Sequence, residues 1–260
     1  MNRLTRVLAT LSLAVVAATG AACASTGGQA SPEGKLVLVA GATGGTGQEA
    51  VKQALAQGYA VRVLVRNAEA ARPLLGDKVQ YAVGNVRDTA AVAKAFKGVT
   101  YVISALGSNS QRDPENKPEF IDYGGTRNLA EAAKAAGVKQ FVLVSSIGVT
   151  HADHPLNKMF DNIMSWKLKG EDALRASGVP YTVVRPGGLA NDPAGKTALV
   201  ASQGDTVSTG RIARADVAAI CVAALGNKAA LGKTFEVAGS AGSPPADWNA
   251  FFAGLKSDGR

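Results

Sequence analysis

From Lys35 onward the chain alternates two kinds of segment. Short, nearly continuous apolar runs occupy 35–40, 60–66, 79–83, 99–104, 139–145, 181–185 and 233–238. Runs of Val, Ile and Leu without polar alternation suit a strand covered on both faces. Between them, apolar residues recur every three or four positions, which predicts helices over 46–57, 68–75, 89–96, 119–136, 157–176, 215–225 and 245–255. Gly137 and Gly178 stand where two of these helices should stop. Strand–helix alternation predicts an α/β fold, a doubly wound parallel sheet with helices on both faces and right-handed crossovers. No internal repeat and no second linker interrupts the pattern, so 35–260 reads as a single domain. Segment 186–212 is irregular and Gly-rich, and reads as a substrate-side elaboration of that domain.

The first 34 residues follow another pattern. Arg3 and Arg6 precede an apolar run from Val7 to Ala18, broken only by Thr10 and Ser12, and small residues follow as far as Ala24. This is the three-part order of a secretory signal over 1–24, and its apolar stretch is too short to span a bilayer. Two processing routes fit. Ala22-Cys23-Ala24 allows cleavage before Ser25, whereas Gly20-Ala21-Ala22-Cys23 resembles a bacterial lipobox, with Gly20 where such boxes usually carry Leu. In the second case a lipid on Cys23 tethers the protein to a membrane. Residues 25–34 form a Gly/Ser-rich tether with a reach of roughly 20 Å. The expected location is therefore a bacterial periplasm or cell envelope. Cys221, the only other cysteine, has no partner for an internal disulfide and reads as core.

Apolar residues at 47% and charged residues at 18% exclude a disordered chain. Lys and Arg number 28 against 20 Asp and Glu, a net charge of +8, which favours anionic ligands. The basic residues are scattered. With no basic tail, no interleaved basic and aromatic surface and no recognition motif, nucleic acid is not an expected partner.

The strongest local signal is Gly41-Ala42-Thr43-Gly44-Gly45-Thr46-Gly47, directly after the first strand and opening the first helix. Glycines three apart serve a tight turn, close approach of backbone to a pyrophosphate, and close helix–strand packing. The helix N-terminus adds free N–H groups and a positive dipole end. A strand–turn–helix setting is the context this mechanism needs, and it makes the sheet Rossmann-like with a nicotinamide dinucleotide as cofactor. About 20 residues further on, an acid would select the ribose of NAD. The chain has Arg66 there, whose planar fork suits a 2′-phosphate, so NADPH is expected over NADH.

With this loop, the segments LVRN, GNVRD (84–88), ISALGS (103–108), VLVSSIG (142–148), SGVPYTVVRPGGL (177–189) and IARADVA (212–218) resemble the atypical short-chain dehydrogenase/reductases. The similarity is greatest to the NmrA-like and flavin-reductase-like NAD(P)-binding branch. It covers essentially all of 35–260. It implies that Asn85 and Val86 hold the adenine edge, with Asn85 replacing the usual Asp, that Ala105-Leu106-Gly107 runs under the cofactor, and that Pro186-Gly187-Gly188 approaches the nicotinamide. It also implies that Asp216 caps or braces its helix. Ser146 matches the position that polarises a carbonyl, and Lys167 the lysine that holds the ribose.

The tyrosine four residues before that lysine is missing. Ile163 occupies its place, and no Tyr lies in 124–180. Hydride transfer needs only the cofactor held against an acceptor, so a quinone or flavin is easier to reduce than a simple ketone. Tyr123 is a substitute acid or a packing residue. His151 and His154, the only two histidines, read as plain loop, substrate contact or an incomplete metal half-site, and no metal centre is expected. Met159, Phe160, Met164 and Trp166 read as helix packing. Two functions remain: an NADPH-dependent reductase of a quinone, flavin or carbonyl, and a non-catalytic NAD(P)-binding sensor or scaffold. No partner protein is implied beyond a small-molecule substrate.

Overall fold

The computed structural model describes residues 34–206 and 210–259. The segment expected as a signal, with Cys23, and nearly all of the expected tether lie outside them. In chain order the elements are β1 (Leu36–Ala40), α1 (Gly45–Ala56), β2 (Ala60–Val65), α2 (Ala68–Leu75), β3 (Gln80–Val83), α3 (Thr89–Ala95) and β4 (Tyr101–Ser104). A π-helical turn over Glu119–Gly125 leads into α4 (Thr126–Ala135), then β5 (Gln140–Val144), α5 (Pro155–Met159), α6 (Ile163–Ser177) and β6 (Tyr181–Pro186). The remainder is β7 (Gly188–Ala190), β8 (Ala198–Ser202), β9 (Arg211–Ala213), α7 (Arg214–Ala224), β10 (Lys233–Ser240) and α8 (Trp248–Ala253).

The seven expected strands form one sheet in the order β3-β2-β1-β4-β5-β6-β10, all parallel, and β8 adds an antiparallel edge beside β10. The fold is thus Rossmann-like. All five residues of β1 are buried, and they divide by the two-residue period of a strand. Val37 and Val39 pack with Ala50 of α1 and with Val217 and Ile220 of α7. Leu36, Leu38 and Ala40 join Val92 of α3, Leu129 of α4 and Leu174 of α6 on the other face. Each valine, leucine or isoleucine among them contributes about 1.5–3 kcal/mol on burial. Cys221 lies in the first of these cores, where burial pushes its thiol up to about 12. Among the described residues no helix is long and apolar enough to cross a membrane.

Three segments differ from expectation. The helix predicted over 119–136 begins as the π-helical turn. The helix predicted over 157–176 is two helices, because Asp161 and Asn162 adopt left-handed conformations (φ 49° and 60°) between α5 and α6. Asn157 Oδ1 bridges that break by accepting from the Met164 and Ser165 N–H groups at 2.9 and 3.3 Å. Segment 186–212 is not wholly irregular. It supplies β8, and β7 and β9 form a separate two-stranded parallel pair.

Strand order reverses between β1 and β4, and at this switch point the carboxyl ends of the strands open a crevice. The side of the sheet beyond β5 is braced by buried charge. Arg185 of β6 donates to both carboxylate oxygens of Glu171 in α6 at 3.0 and 2.7 Å, and to Glu236 of β10 at 3.2 Å. Burial alone would lower the pKa of Arg185, but its bonds to Glu171 and Glu236 outweigh that and hold it above its ordinary value.

Candidate functional site

The glycine loop crosses the crevice at the switch point. Gly41 has φ +75°, and a Cβ there would overlap the Ala105 carbonyl, so β1 and the segment after β4 meet at a distance only glycine permits. A Cβ on Gly47 would come 2.8 Å from the Ala42 Cα, so α1 packs directly on the turn. Gly44 caps α1 without any side-chain bond, and Thr43, Gly44 and Gly45 are exposed. The first N–H groups of a twelve-residue helix therefore face the crevice unfilled. Ala42 and Gly47 line no part of the crevice. They shape the loop, and Thr43, Gly44, Gly45 and Thr46 form its surface.

The crevice has two parts. An outer cleft of about 470 Å³, toward β2 and β3, is lined by Gly41, Thr43, Gly44, Leu64, Arg66, Asn85, Val86 and the Ala105-Leu106-Gly107 segment. Residues 109–116 close its far side with Arg112, Asp113 and Glu115. Arg66 reaches Asp113 at 2.9 Å, and Arg87 reaches Glu115 at 3.0 Å. Asn85 turns its Oδ1 to the Arg87 N–H at 3.0 Å. Three arginines face two acids here, so the cleft keeps an excess positive charge.

An inner cleft of about 340 Å³, toward β5 and β6, is lined by Gly44, Gly45, Thr46, Ser145, Ser146, Lys167, Pro186, Leu189 and Arg214. Gly44, Ala105, Leu106 and Gly107 line both clefts, so the groove is continuous. Lys167 Nζ sits 2.7 Å from Asp122 Oδ1, and the second oxygen of Asp122 accepts from the Ser108 N–H at 3.2 Å. Asp122 is buried on the π-helical turn, and a side chain at Gly170 would collide with its carbonyl. The Ser146 hydroxyl donates to the Ile147 carbonyl at 3.1 Å. The neighbouring Ser145 hydroxyl is buried and has no partner among the described residues, a polar group facing the cleft.

Asp205 fixes the loop after β5. It accepts from the Gly148 N–H at 2.6 Å, the Thr150 N–H at 2.9 Å and the Thr150 hydroxyl at 2.8 Å. Burial would raise its pKa, but these three bonds outweigh it and hold the carboxyl below its ordinary value.

Other expected features are resolved as packing. Tyr123 stacks on Trp166 with ring centroids 5.9 Å apart, and Lys169 lies over the Trp166 ring, on the opposite side of α6 from the Lys167 contact. His154 Nδ1 accepts from the Leu156 N–H at 3.2 Å as the cap of α5. No metal-holding cluster occurs among the described residues. Asp216 does not cap α7. It accepts from the Gly195 N–H at 2.7 Å and pins the loop before β8. Asp122, Arg112, Asp205 and Arg214 carry no sign of these placements in the sequence. Asp122 in the π-helical turn had no local signature, because its partner is 45 residues away.

The loop, the uncapped helix, the unpartnered Ser145 and the charge excess all fit a dinucleotide lying along this groove. Comparison with known proteins agrees. A family model described as NAD(P)H-binding matches residues 41–228. A chloroplastic protein of Arabidopsis thaliana is 37% identical over 248 residues, covering 86% of this chain and 76% of its own length. The sanguinarine reductase of Eschscholzia californica is 32% identical over 259 residues, covering 84% and 94%. Among solved structures, a putative NAD-dependent epimerase/dehydratase of Bacillus halodurans matches with TM-score 0.74 and 28% identity, covering 85% of this chain and all of its own. An anaerobillin reductase of Escherichia coli O157:H7 matches with TM-score 0.66 and 26% identity, covering 81% and 100%.

The relatives correct the expected location. Several are chloroplastic, and one is a photosystem II assembly factor of Trieres chinensis, which contradicts a bacterial periplasm or cell envelope. The reason lies in composition. Residues 1–32 hold two arginines, many small and hydroxyl residues and no acid, and plastid transit segments share that bias with secretory signals.

Proposed function

The chain belongs to the NAD(P)H-binding family, among the atypical short-chain dehydrogenase/reductases, and from that premise we propose that it is an NADPH-dependent reductase of a small, electron-poor organic acceptor such as a quinone, flavin or activated carbonyl. The observation that carries the reading is the continuous groove, with Arg66 at its outer end and Ser146 and Lys167 at its inner end. Two relatives that it matches over nearly their whole length are named reductases.

A nicotinamide dinucleotide supplies the hydride. The chain's own residues bind and orient. Arg66 and Arg112 would face the 2′-phosphate, and Gly45 and Thr46, whose N–H groups are the first of α1, would offer them to the pyrophosphate, the Gly44 N–H being taken by the Gly41 carbonyl at 3.1 Å. Asn85 and Val86 border the adenine, and Ala105, Leu106 and Gly107 form the floor. Pro186 and Leu189 cover the inner cleft and exclude water. Ser146 turns its hydroxyl from the Ile147 carbonyl to the acceptor oxygen. Lys167, fixed by Asp122, holds the ribose and sets a positive charge beside the oxygen where negative charge develops. With Ile163 in place of a tyrosine, the proton comes from solvent, which restricts the substrate to acceptors whose reduced form is a weak base.

The test is NADPH consumption by the purified protein against a panel of quinones, flavins and carbonyls, with Ser146→Ala and Lys167→Ala alongside. Turnover on one class of acceptor, lowered in both variants, is the expected result. Tight NADPH binding with no turnover on any acceptor replaces this reading with a sensor or scaffold that binds the dinucleotide.

A further inference from the structure

Arg214, which lines the inner cleft, has no carboxylate partner among the described residues. Arg214 opens α7, 170 residues from the glycine loop, yet its side-chain stem lies across Gly45. A Cβ on Gly45 would come 2.7 Å from Arg214 Cδ and 3.0 Å from Nε. Only Nη1 of its three nitrogens is bonded among the described residues. It donates to Asn191 Oδ1 at 2.7 Å and to the Leu189 carbonyl at 3.3 Å, and both acceptors are neutral. Arg112, at the outer end, is the other groove cation without an ion pair among the described residues. Arg66, Arg87 and Lys167 each face a carboxylate within 3.0 Å. The loop itself, Gly41 to Gly47, contains no basic residue. The charge that a helix N-terminus alone offers to a phosphate is about half a unit, and a pyrophosphate carries two.

We propose that Arg214 is the counter-ion of the dinucleotide's pyrophosphate, delivered by α7 across Gly45. This rests on the reading of the groove as a dinucleotide site and adds a binding residue to it. Asn191 and Leu189 hold one edge of the guanidinium, leaving Nε and Nη2 as a fork for two phosphate oxygens. The second glycine in Gly44-Gly45 then has a steric cause, since any side chain at 45 occupies the volume of the Arg214 stem. The alternative destination of this charge, a carboxylate on the acceptor, is the competing outcome of the test.

The test is a calorimetric titration of the full chain with three probes. NADPH carries both the pyrophosphate and the 2′-phosphate, ADP-ribose only the pyrophosphate, and 2′-AMP only the 2′-phosphate. Arg214→Ala should weaken NADPH and ADP-ribose about tenfold or more and leave 2′-AMP unchanged. Arg214→Lys should recover part of that loss, and Gly45→Ala should reproduce it by displacing the stem. The loss should shrink as salt rises. ADP-ribose affinity that survives Arg214→Ala overturns the assignment, as does a loss that 2′-AMP shares. Unchanged ADP-ribose binding with a raised KM for the acceptor assigns the charge to the substrate instead. A parent chain that binds neither NADPH nor ADP-ribose overturns the dinucleotide reading together with this one.

Discussion

The two ends of the groove are built differently. The outer cleft is held by ion pairs at the surface: Arg66 and Asp113 leave 64% and 38% of their side chains exposed, and Arg87 and Glu115 leave 39% and 77%. Such pairs contribute about 0–1 kcal/mol and are easily exchanged for a ligand's charges. The inner cleft is held by buried ones. Asp122 is 1% exposed against Lys167 at 15%, and Glu171 is fully buried beneath Arg185. A buried pair adds little net stability over an apolar replacement, but removing one partner is expensive. The outer pairs can therefore be exchanged for a ligand's charges at little cost, while the inner pairs hold a fixed geometry.

The largest effect should come from breaking the inner frame. Glu171→Ala leaves Arg185 and Arg175 without their shared carboxylate and should cost about 3–5 kcal/mol of unfolding free energy, measured by denaturant titration. An effect below about 1 kcal/mol would erase the energetic contrast between the two ends.

Asp122→Asn is the next in size. It should lower kcat strongly, because Lys167 and the Ser108 backbone lose their common anchor, and change NADPH affinity much less. Equal losses in both would place Asp122 with cofactor binding rather than with the geometry of the inner cleft.

Acid should loosen the loop that carries Ser146. The folded-state pKa of Asp205 lies below its ordinary value of 3.8, so its stabilising contribution is complete above that value and is lost as pH falls through the lower folded value. The stability difference between the parent and Asp205→Asn should be constant near neutral pH and shrink below pH ~4. A difference that stays constant into strong acid refutes this.

The smallest effect belongs to the outer pair. Asp113→Asn should change stability by less than about 1 kcal/mol. It frees Arg66 and removes an anion beside the 2′-phosphate position, so NADPH affinity should rise a few-fold while NADH affinity stays level.

This contrast also decides what the sequence could reveal. The outer cleft is assembled from the turns that follow β1 to β4 and from residues 109–116, and within it glycine spacing and the residue after β2 pointed directly to Gly44 and Arg66. The inner cleft draws on positions 44–46, 105–107, 144–146, 167, 186, 187, 189 and 214, which only the closed sheet brings together. Ser146 and Lys167 were legible only through resemblance, and Asp122 not at all, because a carboxylate in a π-helical turn looks like any helical acid until the lysine is seen beside it. The break at Asp161–Asn162 was hidden for a related reason. Helical periodicity continues through it, and Asn157, which bridges it, carries no sign of doing so. In 186–212, glycines obscured β7 and β9, whose pairing is set by where β6 and α7 stand rather than by their own apolar pattern.

The central claim, that the groove takes a nicotinamide dinucleotide with its 2′-phosphate at Arg66, is tested most directly by the ratio of NADH to NADPH dissociation constants in the parent and in Arg66→Ala. A guanidinium–phosphate contact at an exposed site predicts a preference for NADPH of about tenfold or more in the parent. In Arg66→Ala the two affinities should become nearly equal, with that for NADH little changed. Equal affinities in the parent, or a preference that survives Arg66→Ala, would contradict the account.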